Sequence, residues 1–98
     1  MIEIKRGAVF QNEDEQHYCV IQAIRDQVQL DFVCSEELDG RWALLVPIGK
    51  PGKLARLRVD EDIDECEEWV SWIAEQVLEE RRHLSDVFRE VRGRHTLH

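Results

Sequence analysis

The sequence predicts an α+β domain: an antiparallel five-strand meander followed by one long carboxyl-terminal α-helix. Three observations carry this. Apolar and polar residues alternate up to Val59, and beyond it apolar residues recur at helical spacing. Pro51-Gly52 separates two alternating runs with the residue pair that a tight turn prefers. The helical stretch begins with carboxylates and ends among arginines, as the helix dipole favours.

With 98 residues the chain makes one domain, 1–98, divided into sheet (1–59), amphipathic helix (60–92) and tail (93–98). Apolar residues at 43% and charged residues at 35% place it among folded globular proteins. No apolar run approaches the roughly 18 residues of a membrane span, so no membrane partner is expected. Glu3, Lys5 and Arg6 interrupt the segment where a secretory signal would need apolar residues, which points to a cytoplasmic protein. Cys19, Cys34 and Cys66 are odd in number and form no CxxC pair. Reduced, buried thiols fit that pattern better than a disulfide framework or a zinc site.

The strands are expected at residues 2–10, 17–24, 28–34, 41–47 and 54–59. Folding the chain about Pro51-Gly52 sets Trp42, Leu44 and Val46 on one face with Ala55, Leu57 and Val59. Arg56 and Arg58 then point to the other face. For the second and third strands two registers compete. A two-residue loop at Asp26-Gln27 aligns Cys19 with Cys34 and puts Cys19, Ile21 and Ala23 with Val28, Leu30 and Phe32. A three-residue loop at 25–27 pairs Tyr18, Val20 and Ile24 with that row instead. The longer loop buries larger side chains and is the one expected; it allows no cross-strand disulfide.

The segments RGAVF, HYCVIQAI and DQVQLDFV together resemble the opening of a small SH3-like β-barrel of the kind found in KOW-type modules and bacterial MazF-type toxins. The resemblance covers about a third of the chain and implies a barrel-like sheet. The Arg-Pro pair that those toxins carry after their first loop is missing, so RNA cleavage does not follow.

Between Asp60 and Glu68 seven of nine residues are carboxylates. Read as a calcium loop, the run fails: the sixth position should be glycine and the twelfth glutamate, and they are Glu65 and Ser71. Asp62 and Glu65 instead have the spacing of a capping box that opens a helix. Within that helix Ile63, Cys66, Val70, Ile73, Val77, Leu84, Val87 and Val91 form a seam. A continuous helix from residue 61 to 92 would run about 48 Å, whereas the strands span only about 20 Å. The later seam residues Leu84, Val87, Phe88 and Val91 are therefore expected to seek a second copy in a homodimer. The alternative is a bend at residues 83–85, with Ser85 capping a short second helix that folds back. No glycine or proline interrupts the helix before Gly93, which favours the dimer.

Among enzyme-like patterns, Glu80 and His83 have the Glu-x-x-His spacing, but a di-metal bundle needs that motif twice. Gly49 to Lys53 is no P-loop. Neither catalysis nor a cofactor or metal is expected. The expected function is that of a non-enzymatic, acidic protein–protein interaction module, an adaptor, inhibitor or immunity-like regulator. It would present Trp69, Trp72, Glu65 and Glu68 to a basic partner. The alternative is a small nucleic-acid-binding domain that uses Lys50, Lys53, Arg56 and Arg58, although a net charge of −8 opposes general affinity for a polyanion.

Overall fold

The computed structural model describes residues 1–47 and 51–96, and it is a two-layer α+β fold, an open antiparallel sheet with both helices on one face. Strands β1 (Glu3–Arg6), β3 (His17–Arg25), β4 (Val28–Glu36), β5 (Trp42–Pro47) and β6 (Leu54–Asp60) lie side by side in the order β1-β3-β4-β5-β6. The two-residue β2 (Phe10–Gln11) continues the β1 edge along β3. The expected first strand is thus two pieces, broken at residues 7–9, where the Gly7 N–H still donates to the Val20 carbonyl at 2.9 Å. The edge strands β1 and β6 do not pair, so the sheet is not the closed barrel that the resemblance implied. No helix among the described residues is long and apolar enough to cross a membrane.

The β3–β4 hairpin adopts the two-residue loop, against expectation: Arg25 pairs with Val28 and Cys19 with Cys34. Asp26 and Gln27 both have positive φ, 49° and 71°, the backbone of a turn whose twist matches that of the strands it joins. Side-chain size did not decide the register. The face under the helices holds the narrow residues Cys19, Ala23 and Cys34 together with Ile21 and Phe32, all buried. Narrow side chains let a helix approach the sheet closely, and the larger Tyr18, Val20 and Ile24 stay half-buried on the opposite face. The three thiols are free.

A second parity error lies at β5–β6. Leu44 faces Arg58 and Leu45 faces Arg56, so Leu57 is an extra residue, a β-bulge. Beyond it the side chains exchange faces. Arg58 and Asp60 turn under the helices beside Leu44 and Trp42, and Val59 turns outward opposite Ala43. Only Arg56 keeps the expected outward direction. The turn itself behaves as anticipated where it is described, with Gly52 at φ 82°.

The carboxyl-terminal half is not one long helix. Helix α1 (Ile63–Ala74) passes into a single π-helical turn (Glu75–Glu79), and the chain then reverses into α2 (Leu84–Thr96). The capping box forms as read from the sequence. The Asp62 carboxylate accepts from the Glu65 N–H at 3.0 Å, and the Glu65 carboxylate accepts from the Glu61 N–H at 3.2 Å. The break needs neither glycine nor proline, because Arg81 itself takes a left-handed conformation (φ 58°) and the Arg82 N–H bonds back to the Gln76 carbonyl. Two side chains then hold the bend. Arg25 from β3 donates to the Leu78 carbonyl at 2.8 Å, and Arg82 bridges Gln76 to Glu90 on α2. The chain folds back as the alternative had it, but at residues 80–83 and not at 83–85, and Ser85 is not the cap: the His83 carbonyl accepts the first bonds of α2, from Asp86 and Val87. Val87 and Val91 are fully buried in the chain's own core, so the seam that called for a second copy is covered internally.

Candidate protein-interaction surface

The geometry of α1 follows from which of its charges find partners. On its β1 side Arg6 reaches Asp64 at 2.7 Å and Glu67 at 3.7 Å, and the hydrogen bond to Asp64 raises the guanidinium's pKa further. Toward β6, Arg58 forks onto Asp60, with Nη2 to Oδ1 at 2.6 Å and Nε to Oδ2 at 2.9 Å. The two side chains are only 12% and 5% exposed. The same guanidinium lies 4.0 Å from the centre of the Trp69 ring, and Trp69 meets Trp72 edge to face at 5.9 Å. Cys66 approaches Asp60 from the core side at 3.8 Å.

This arrangement redistributes the residues singled out from the sequence. Trp69 and Trp72 are half-buried, packed on the core, and Trp69 is already covered by Arg58. Glu65 is half-buried and serves the capping box. Glu68 is exposed and belongs to a stripe the sequence reading did not isolate: Asp64, Glu68, Glu75 and Glu79 are exposed along α1 and the π turn, and Glu61 is exposed just before the helix. Their spacings of three, four and seven could have identified it. Of these, only Asp64 takes a cation; Glu61, Glu68, Glu75 and Glu79 enter no ion pair among the described residues.

The cations fare differently. Lys5, Arg6, Arg25, Arg41, Arg56, Arg58, Arg82 and Arg89 are each paired with a carboxylate. Arg56 holds Glu37 through two bonds, at 2.7 and 3.2 Å, and Arg58 is buried. Of the basic quartet, Lys53 remains an exposed cation without an ion pair among the described residues, and Lys50 lies outside them. The quartet is therefore not one cationic face. Leu84 and Phe88 are half-buried against the core that encloses Val87 and Val91. Glu80 and His83 are both exposed, in the segment that joins the helices. No protein-family model, curated protein or solved structure matches this chain.

Proposed function

We propose that the chain is a non-enzymatic protein-interaction module that presents the outward face of α1 to a basic protein surface. The observation that carries this reading is the division of charge. Eight cations are held in pairs within the chain and Lys53, Arg81 and Arg92 are exposed outside any ion pair among the described residues, while Glu68, Glu75 and Glu79 are left exposed along α1 and the π turn with Glu61 just before them. An uncompensated stripe of that kind steers a basic partner in and rejects acidic ones. Trp69 and Trp72 serve as the packed support of the stripe rather than as its anchors. An adaptor, an inhibitor or an immunity-like regulator all use such a surface.

The test is affinity purification with the intact chain and with a Glu61→Lys, Glu68→Lys, Glu75→Lys variant, followed by titration of the captured protein at 50 and 300 mM NaCl. The expected result is a basic partner whose binding weakens at least tenfold at the higher salt and is lost in the variant. A partner bound equally by both chains counts against the acidic face. A parallel shift assay with labelled nucleic acid is expected to show no complex, and a salt-dependent complex there would favour the nucleic-acid reading.

A further inference from the structure

The sheet has a second face on which no helix packs among the described residues. Both helices pack on the side of Ile21 and Leu44, and the opposite side carries two mainly apolar rows running across the strands, flanked by the polar row Lys5, Gln22 and Asp31. One row is Phe10, Tyr18, Ser35, Ala43 and Val59, in which Ser35 and Ala43 are buried between their larger neighbours and Phe10 is exposed. The next is Val20, Val33 and Leu45, ending in Arg56. Phe10 and Tyr18 stack at 5.9 Å along one margin, and Phe10 is 48% exposed. Val20, Val33 and Leu45 at the centre are half-buried by their neighbours alone, on a surface where a solvated sheet would place polar residues.

Charge on this face is balanced, unlike that of the molecule. Lys5 pairs with Glu3 and Arg56 with Glu37, which leaves Asp31 as the carboxylate without a cation among the described residues that the strands point outward. The chain as a whole carries −8. A basic partner therefore gains little here and much at α1. A second copy of the chain is the occupant this surface fits: it brings the same apolar, near-neutral rows and directs its acidic helix away from the contact.

We propose that two copies pack back to back through these uncovered faces into a β-sandwich flanked by helices. The inference is independent of the reading of the acidic stripe. Stacked sheets lie about 10 Å apart and each helix layer adds roughly 10 Å, so the two acidic stripes would stand about 30 Å apart or more. That exceeds the Debye length of about 8 Å at physiological salt several-fold, and like-charge repulsion across the dimer is screened. The two rows lie about 7 Å apart, so with their margins they take about 14 Å of strand length on a face about 24 Å wide, roughly 340 Å² in projection. An interface near the about 800 Å² per partner of a stable complex therefore also takes in the flanking Gln22, Gln29 and Asp31 and the relief of the side chains. A two-fold axis along β4 sets Val33 against its counterpart and Val20 against Leu45 of the other copy, so each apolar position meets another.

Sedimentation equilibrium of the intact chain from 1 to 100 µM tests this, since one copy weighs 11.6 kDa. The expected result is a dimer that 1 M NaCl leaves intact or tightens. Val33→Lys is expected to raise the dissociation constant at least 100-fold, and Phe10→Ala and the near-isosteric Val33→Thr about tenfold each, with the circular dichroism of the native fold retained. Glu68→Lys, on the opposite side of the molecule, is expected to leave it unchanged. A monomer throughout that range overturns the proposal. So does a dimer that tolerates both Phe10→Ala and Val33→Thr, a pair that keeps the test decisive should Val33→Lys fail to fold.

Discussion

The guanidinium of Arg58 lies over Trp69, 4.0 Å from the ring centre, while its nitrogens fork onto Asp60 two residues along the same strand. One side chain thereby joins edge strand β6 to helix α1 in a nearly water-free setting. Removing Asp60 leaves a buried guanidinium with a π face but no counter-charge. Asp60→Ala is expected to cost about 3 to 5 kcal/mol in urea unfolding. The double variant Arg58→Met, Asp60→Leu should recover most of that loss, because two apolar groups of similar volume need no desolvation. A loss below about 1 kcal/mol for Asp60→Ala would mean that water reaches the pair.

The hairpin at Asp26-Gln27 holds two non-glycine residues at positive φ. That conformation costs each of them roughly 1 kcal/mol or more, which asparagine and glycine largely avoid. Asp26→Asn with Gln27→Gly is expected to stabilise the fold by about 0.5 to 1.5 kcal/mol, read as a higher urea midpoint at unchanged slope. Destabilisation would argue for the three-residue loop and the other register.

Arg81 stands in the left-handed position that ends the π turn, so Arg81→Gly is expected to stabilise by about 0.5 to 1 kcal/mol. A chain with a continuous helix at this point would instead lose about 1 kcal/mol from a glycine. Val91→Ala complements this test. With Val91 fully buried, truncation should cost about 2 kcal/mol at any protein concentration. A loss that disappears on dilution would place Val91 in an interface between copies.

The thiols set a limit at alkaline pH. Burial pushes the Cys19 thiol up, and the interaction with Cys34, together with burial, pushes Cys66 up while the same interaction pushes Cys34 down. The unfolded chain releases the Cys19 and Cys66 protons near the ordinary value of 9.0, whereas the folded chain keeps them to higher pH. Above pH 9 the folded state therefore binds more protons at Cys19 and Cys66, and their contribution, fully present below pH 9, falls as pH rises, whereas the lowered Cys34 acts in the opposite sense and only below pH 9. Urea midpoints from pH 7.5 to 10.5 should decline accordingly, and less steeply in Cys66→Ala. A profile as steep in the variant as in the parent would assign the decline to other groups.

The positions legible in advance were those where one local interaction decides. Asp62 and Glu65 meet three residues apart on the chain, so the capping box could be read from spacing alone. Gly52 announced its own positive φ. Glu68 was put forward as a surface contact and is exposed, but Glu61 and Asp64 were read only as part of a helix start and Glu75 and Glu79 were not singled out. The failures share one cause. A strand's parity is reset by a single extra residue, and the bulge at Leu57 moved Arg58 from the supposed cationic face into a buried pair with Asp60. The hairpin register failed likewise, because the choice between loops rested on side-chain size and not on which face a helix could approach.

By itself, then, the sequence determined the α+β class, the antiparallel meander, the start of α1 and the apolar residues of its seam. These follow from periodicity and from contacts within a few residues. Only the tertiary structure decided that the sheet stays open and that the chain reverses at Arg81. It alone decided that Val87 and Val91 fill the chain's own core and that Arg58 serves Asp60 and Trp69. Each of these depends on groups such as Arg25 and Leu78, 53 residues apart, whose meeting is worth nothing until the layers have packed and excluded water.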